Sequence, residues 1–141
     1  MTIEFERLCN NEHQIVALYD LLSKRNHRIS HQRMPSYAEH YDFVINHPYR
    51  AWFLLKQYQE YIGSFYISDQ NTIGINILDG FLSEVIPLII FKVKSSFSPL
   101  PPIKSVRSGF FSVNVAPDNV NLIAGLERFG CKLAQVSYVI V

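Results

Sequence analysis

The fold is decided by residues 61–84, which read YIGSFYISDQNTIGINILDGFLSE. Within this stretch, residues 61–68 and residues 72–78 are rich in β-branched and aromatic side chains and predict two strands. The polar residues between them predict a tight turn, so the two strands should pair antiparallel. Asp79 and Gly80 end the second strand, and a helix is predicted shortly after them.

The flanking sequence extends this hairpin into an alternation of strands and helices. Upstream, Ser36 and Glu39 match a capping box, as do Asn11 and Gln14, and both pairs predict helix starts. The predicted order is a strand at 2–9, helices at 12–24 and from 36 to the His47-Pro48 stop, strands at 49–56, 61–68 and 72–78, a helix at 82–96, a strand at 109–115, a helix at 117–129 and a strand at 131–141. This order predicts an α/β (α+β) domain with a mixed, mainly antiparallel sheet flanked by helices.

Length and composition restrict the class of protein. The 141 residues, 48% of them hydrophobic and 18% charged, suit one globular domain spanning 1–141. The net charge of +1 argues against nucleic-acid binding, and Lys24, Arg25 and Arg28 are interpreted as the solvated end of a helix. No apolar run is long enough to span a bilayer, and no signal peptide is recognised. Cys9 and Cys131 have no partner at redox or metal spacing, which favours a cytoplasmic protein.

The histidines do not predict a metal site. His27, His31, His40 and His47 lie within one short region, but their spacing matches no zinc-binding pattern. No metal ligand is therefore assigned.

Four segments resemble the GNAT (GCN5-related N-acetyltransferase) family. Residues 61–67, YIGSFYI, are similar to its xIGxxxI strand, and residues 73–77, IGINI, are similar to the IGIxI strand before its cofactor loop. Residues 119–130 are similar to the family's NxxSxxxxEKxGF, with Leu122 in place of the serine. Residues 31–43 resemble the substrate-side helices of members that acetylate sugars and small amines. The chain is identified on these segments as a divergent member, and the resemblance covers nearly all of it.

The resemblance implies where acetyl-CoA, or another acyl-CoA, would bind. In the family, the strand before the central helix parts from its neighbour, and the pantetheine arm enters the gap. The N-terminus of that helix offers amides to the pyrophosphate, and a strand amide polarises the thioester carbonyl. For Asn119, capping of the last helix is an equally open interpretation. The expected cofactor-binding residues are Ile75, Asn76, Ile77, Leu78, Gly80, Phe81, Leu82, Ser83 and Asn119.

The phosphate loop departs from the family pattern (Q/R)xxGxG(A/G). Leu82 stands where a glycine is expected, and Asp79 and Glu84 bring negative charge where the family has positive charge. Each carboxylate costs about 1 kcal/mol of affinity for a pyrophosphate, even when it is solvated. Leu126 stands where many members have a tyrosine that protonates the leaving thiolate. These departures are the reason for an alternative hypothesis, that the chain is a non-catalytic GNAT-like binding module.

Two histidines near the expected acceptor pocket are the candidate catalytic residues. The resemblance places His31 and His40 beside an amine, whose attack needs a general base, and histidine suits that role near pH 7. The alternative for each is a solvated or hydrogen-bonded histidine. Tyr66 and Tyr138 could donate a proton to the thiolate or pack in the sheet. The expected activity is direct acyl transfer from acyl-CoA to a small amine or amino sugar, and the aromatic-rich sheet is a candidate face for a homodimer.

Overall fold

The structure, a computed structural model, describes residues 2–25 and 33–141. Over these residues the chain forms five strands and four helices. In chain order they are β1 (Glu4–Arg7), α1 (Glu12–Ser23), α2 (Tyr37–Ile45), β2 (Ala51–Gln57), β3 (Glu60–Ile67), β4 (Thr72–Ile77), α3 (Leu82–Ser96), β5 (Ser112–Val113) and α4 (Val120–Arg128). The predicted order of elements is confirmed as far as α4.

The strands form a sheet in the order β1-β2-β3-β4-β5. The first four strands pair antiparallel, which confirms the predicted meander of β2, β3 and β4. β5 pairs with β4 in parallel, because α3 and the connection after it carry the chain back before β5 begins. The sheet is therefore mixed and mainly antiparallel, as predicted.

Two hydrophobic clusters bind the helices to the sheet. In one of them, α3 and α4 pack against a core that includes Phe65 and Ile89, whose side chains are fully buried. In the other, Ile15 and Leu18 of α1 pack against Trp52. Since β2 contributes to both clusters, residues 51–55 form an uninterrupted apolar run rather than an alternating one.

The two predicted capping boxes have different outcomes. The Ser36 hydroxyl accepts a hydrogen bond from the Glu39 amide at 3.1 Å, and the Glu39 carboxylate accepts one from the Ser36 amide at 2.9 Å, so this box is confirmed. The box predicted for Asn11 and Gln14 is wrong. Gln14 is buried, and its side chain bonds to strand β1 instead, donating to the Glu6 carboxylate at 2.8 Å. A buried side-chain amide needs such partners more than an exposed helix end needs a cap.

The far edge of the sheet differs from the prediction. The strand predicted at 109–115 is two residues long, and α4 begins at Val120 rather than at residue 117. The prediction of a strand at 131–141 is wrong, because these residues are all exposed and form no regular structure. Their sequence favours a strand, but a strand also needs a partner for its backbone groups. Within the described chain, residues 132–141 make no backbone hydrogen bond.

No helix in the described part of the chain is both long and apolar enough to cross a membrane. Residues 2–25 and 33–141 contain no group of three histidine, cysteine or carboxylate side chains placed to hold a metal ion. His27 and His31 lie outside the described residues.

Candidate functional site

Strands β4 and β5 run together for two residue pairs and then part. The pairs are Thr72–Ser112 and Ile73–Val113, and the last hydrogen bond between the strands runs from the Asn114 amide to the Ile73 carbonyl at 3.2 Å. β4 continues to its end with β3 as its partner. The later backbone groups of β4 on the β5 side therefore face an opening rather than a neighbouring strand.

Asn71 anchors the point at which the strands part. Its fully buried side chain donates to the carbonyls of Leu100 and Ser108 at 2.9 and 2.8 Å, and accepts from the Leu100 amide at 2.8 Å. Its own carbonyl accepts from the Ser112 amide at 3.0 Å. Through its side chain and its carbonyl, this one residue ties the proline-rich connection and β5 to the turn before β4. The sequence predicts only a turn at this position.

A cavity of about 140 Å³ opens beside the end of β4, and we call it the β4–α3 cavity. It lies among the end of β4, the start of α3, the start of α4 and the end of α1. Three of the nine predicted cofactor-binding residues, Gly80, Phe81 and Ser83, do not line it. The other six do line it, and they are Ile75, Asn76, Ile77, Leu78, Leu82 and Asn119.

The N-terminus of α3 presents unpaired amides. Phe81 occupies the cap position and provides no side-chain hydrogen bond. Its carbonyl accepts from the amides of Glu84 and Val85, but no described residue accepts from the amides of Leu82 or Ser83. The two free N–H groups, with the positive end of the helix dipole, suit an anion.

Two cations from the end of α1 line the same cavity. Lys24 and Arg25 approach the β4–α3 cavity together with Asp79. Lys24 is exposed and forms an ion pair with Asp20 at 2.9 Å. The interpretation of these two residues as a solvated helix end therefore missed their position. Positive charge reaches the cavity from a distant part of the chain, and it can offset the carboxylate that the loop itself carries.

Asn119 both caps α4 and lies at the cavity, and these are the two interpretations that the sequence left open. Its Oδ1 accepts from the Leu122 amide at 3.3 Å, which caps α4. The same residue lines the β4–α3 cavity. Capping holds the side chain at the cavity wall, so the two interpretations are compatible.

A second cavity, which we call the aromatic cavity, shares three lining residues with the first, and these are Arg25, Ile75 and Asn76. Its volume is also about 140 Å³. Tyr49 and Tyr66 line it and stack face to face, with ring centroids 3.8 Å apart. Trp52 also lines it; the indole Nε1 is buried, and no described residue accepts a hydrogen bond from it. The cavity thus has flat aromatic walls, and one of the residues that form them has a buried, unpaired donor.

His40 lines the aromatic cavity but is held by the backbone. Its ring is 5% exposed, and Nε2 donates to the Ile15 carbonyl at 3.0 Å. Burial lowers the pKa of His40, although the bond to Ile15 opposes this shift. His40 is therefore a hydrogen-bonded histidine, which is the alternative to a catalytic role that the sequence left open. Its bond to Ile15 joins α2 to α1. His31, the other predicted catalytic residue, lies outside the described residues.

We expect the protein to lose stability as the pH falls below about 6.5, the ordinary pKa of histidine. His40 has a lowered pKa in the folded state, so the unfolded chain binds more protons in this range and protonation favours unfolding. One such group contributes a slope of at most about 1.4 kcal/mol per pH unit. Urea unfolding between pH 5 and 7.5 would measure it, and His40→Gln, which retains a donor for Ile15, should reduce the slope.

The matched control for this prediction is His13→Gln on the exposed face of α1. His47 also has a pKa lowered by burial and should leave a residual slope in the His40 variant. An unchanged slope in His40→Gln would contradict the prediction.

The tyrosines singled out in the sequence lie in different places. Tyr66 lines the aromatic cavity, and a Cβ added at Gly74 would overlap its ring, so the glycine makes room for it. Tyr138 is 91% exposed, within the segment that forms no strand. Leu126, which stands where many family members have a tyrosine, is buried in the core under α4. Among these positions, Tyr66 alone brings a hydroxyl to a cavity wall.

Comparison with known proteins identifies the architecture. No protein-family model and no curated protein sequence matches the chain. Among solved structures, the chain is similar to a ribosomal-protein-alanine N-acetyltransferase from Brucella melitensis biovar Abortus 2308, with a TM-score of 0.65, 11% identity and 99% of each chain covered. It is also similar to the acetyltransferase AAC(6')-Iy bound to a CoA bisubstrate analogue, with a TM-score of 0.62, 9% identity, and 100% and 98% of the two chains covered. A transcriptional regulator from Bacillus halodurans C-125 has a TM-score of 0.66, 9% identity and 99% of each chain covered.

At these identities the likeness concerns the fold. The chain has the fold of the GNAT acetyltransferases, as the sequence resemblance predicted.

Proposed function

We propose that the protein is an acetyl-CoA-dependent N-acetyltransferase that acts on a small amine. The observation that carries the proposal is the parting of β4 from β5 beside a helix whose first amides are unpaired. An extended thioester arm needs free strand groups, and a pyrophosphate needs free amides and positive charge. The fold shared with an acetyltransferase bound to a CoA analogue supports this use of the opening.

The cofactor would lie in the β4–α3 cavity. The pantetheine arm would pair with the backbone of Ile75, Asn76 and Ile77, on the side that β5 leaves open. The pyrophosphate would accept from the amides of Leu82 and Ser83. Lys24 and Arg25 would supply the positive charge that the loop lacks. This division explains how a loop without the family's glycines and basic residues could still hold phosphate.

The acceptor would enter through the aromatic cavity, which shares lining residues with the first cavity. The neutral amine nitrogen would attack the thioester carbonyl carbon, the C–S bond would break, and the CoA thiolate would leave with the bonding electron pair. The nitrogen loses one proton as the amide forms, and this loss balances the proton that the thiolate takes up. The Tyr66 hydroxyl lies at the cavity wall and is our candidate proton donor to the thiolate. We assign His40 to positioning of the wall, because its Nε2 is already bonded to Ile15.

The lining of the aromatic cavity indicates the class of acceptor. The Tyr49–Tyr66 stack and Phe43 favour an acceptor with a flat or apolar face. We therefore propose a small amine of this kind, which includes amino sugars. Cys9 and Cys131 are both free thiols, which fits the reducing cytoplasm that we propose as its location.

The experiment that tests the proposed function is calorimetric titration of the protein with acetyl-CoA and with desulfo-CoA. We expect both to bind with dissociation constants in the micromolar range, which is typical of enzyme substrates. Acetyl transfer to a panel of aromatic and sugar amines would follow, with release of free thiol as the readout. Absence of binding at millimolar acetyl-CoA would refute the proposal.

Replacing Asp79 with asparagine should raise the affinity for acetyl-CoA about fivefold. Asp79 lines the β4–α3 cavity, and removal of one carboxylate near the pyrophosphate recovers about 1 kcal/mol. The same titration measures the effect, which should shrink at high salt because salt screens exposed charges. The matched control is Asp69→Asn in the turn before β4, which removes the same charge away from both cavities. Equal effects of the two variants would contradict the proposed position of the phosphates.

A further inference from the structure

The lining of the aromatic cavity, where the acceptor would bind, contains one charged side chain, that of Arg25. All 12 aspartate and glutamate residues of the chain lie in the described ranges, and none of them lines this cavity. His40 also lines it, but burial lowers the pKa of this ring, so the ring is neutral at pH 7. The cavity therefore has positive character at neutral pH.

Arg25 follows the end of α1 and lies between the two cavities, because it lines both of them. Its charge also acts on the tyrosine stack. Burial and the neighbouring Tyr66 hydroxyl raise the pKa of Tyr49, whereas the positive charge of Arg25 lowers it. A guanidinium has several N–H donors in a planar fork, so it can bind a phosphate of the cofactor and an anionic group of the acceptor together. Lys24, in contrast, lines the β4–α3 cavity alone.

Two uncharged side chains on the wall of the aromatic cavity have hydrogen-bonding groups that the fold leaves unused. Ser64 is 7% exposed, and its hydroxyl has no hydrogen-bond partner in the described part of the chain. The side-chain amide of Asn114, which also lines the cavity, has no partner there either. Buried polar groups without a protein partner bond to water or to a ligand. These groups can therefore supply further hydrogen bonds to a polar ligand beside Arg25.

On the premise of the proposed function, we propose that the acceptor amine also carries a carboxylate group and that Arg25 binds this carboxylate. The two oxygens of a carboxylate match the fork of donors on a guanidinium. A polycationic amine would instead place a further positive charge beside Arg25, with no carboxylate in the cavity lining to offset it. A phosphate group carries about two negative charges at pH 7, more than this one cation neutralises, so a carboxylate is the better match.

Two pairs of compounds test this proposal, because the members of each pair differ in one carboxylate charge. They are phenylalanine with phenylalaninamide, and para-aminomethylbenzoate with para-aminomethylbenzamide. Trp52, the single tryptophan of the chain, lines the aromatic cavity, so its fluorescence can report binding in the absence of acetyl-CoA. We expect the carboxylate of at least one pair to bind about 10- to 100-fold more tightly than its amide. The same ratio should appear in kcat/KM at saturating acetyl-CoA.

Arg25→Gln should reduce this ratio to below about twofold, mainly by weakening the binding of the carboxylates. The matched control Lys24→Gln should weaken acetyl-CoA binding but keep the ratio, because Lys24 does not line the aromatic cavity. Amides that bind as tightly as the carboxylates in both pairs, or a ratio that survives Arg25→Gln, would overturn the proposal. Absence of binding by all four compounds at millimolar concentration would overturn it as well. Absence of acetyl-CoA binding alone would refute the proposed function and leave the carboxylate preference of the cavity standing.

Discussion

Replacing Lys24 and Arg25 together with alanine should weaken acetyl-CoA binding about 60- to 700-fold. Among the described residues, these are the two cations that line the β4–α3 cavity, whose lining also includes Leu82 at the start of α3. A charged hydrogen bond to phosphate is worth about 1.5–3 kcal/mol, and we count the exposed Lys24 at about 1 kcal/mol because solvent screens it. Titration calorimetry with acetyl-CoA at low and high salt measures the loss and its salt dependence.

The control variant removes the same number of charges at another place. Lys94 and Lys104 are exposed and line neither cavity, so their double replacement with alanine should change the affinity by less than about twofold. Desulfo-CoA should show the same loss as acetyl-CoA, since the two share the pyrophosphate. If both double variants bind acetyl-CoA equally, the end of α1 has no part in phosphate binding.

Replacing Asn71 with alanine should lower the free energy of unfolding by about 3–5 kcal/mol. The change removes three hydrogen bonds from the fully buried Asn71 side chain to the backbone of Leu100, which is half-buried, and of Ser108, which is exposed, at about 1 kcal/mol each. It also places alanine at a φ of 62°, which adds about 1 kcal/mol of backbone strain. Urea unfolding monitored by Trp52 fluorescence gives the measurement.

Two further variants separate the causes. Asn71→Gly removes the same side chain but accepts the positive φ, so it should be the more stable of the two by about 1 kcal/mol. Asn121→Ala on the exposed face of α4 is the matched asparagine control and should shift stability by less than about 0.5 kcal/mol. A loss of under 1 kcal/mol in Asn71→Ala would show that the connection before β5 is held by other contacts.

Much of the fold could be predicted because its signals are local. The hairpin of β3 and β4 follows from two β-rich runs and a polar turn, and α3 follows directly after Gly80. The box of Ser36 and Glu39 is complete within four residues, and the structure confirms it. The apparent box of Asn11 and Gln14 failed because Gln14 had a stronger partner in β1, which no local pattern reveals.

Only the part of the candidate site that lies in one continuous segment, around the end of β4, could be predicted from the sequence. The resemblance named Ile75, Asn76 and Ile77, and these residues line the β4–α3 cavity. Lys24 and Arg25 were assigned to a solvated helix end, because nothing in their neighbourhood indicates that α1 ends beside α3. The sequence predicts only that Tyr49 and Trp52 belong to a strand at 49–56. Their ring contacts with Tyr66 depend on the register between β2 and β3.

The sequence by itself determined the elements up to α4, their order and the mainly antiparallel sheet, since periodicity, turn residues and caps act between near neighbours. The tertiary structure decided where β4 and β5 part and which cations reach the cavity there. It also decided that the last predicted strand has no place in the chain's own sheet. These features depend on contacts between residues far apart in sequence, such as Asn71 with Ser108, 37 positions away. Such contacts are selected by packing and by the need of buried polar groups for partners, which no short stretch of sequence contains.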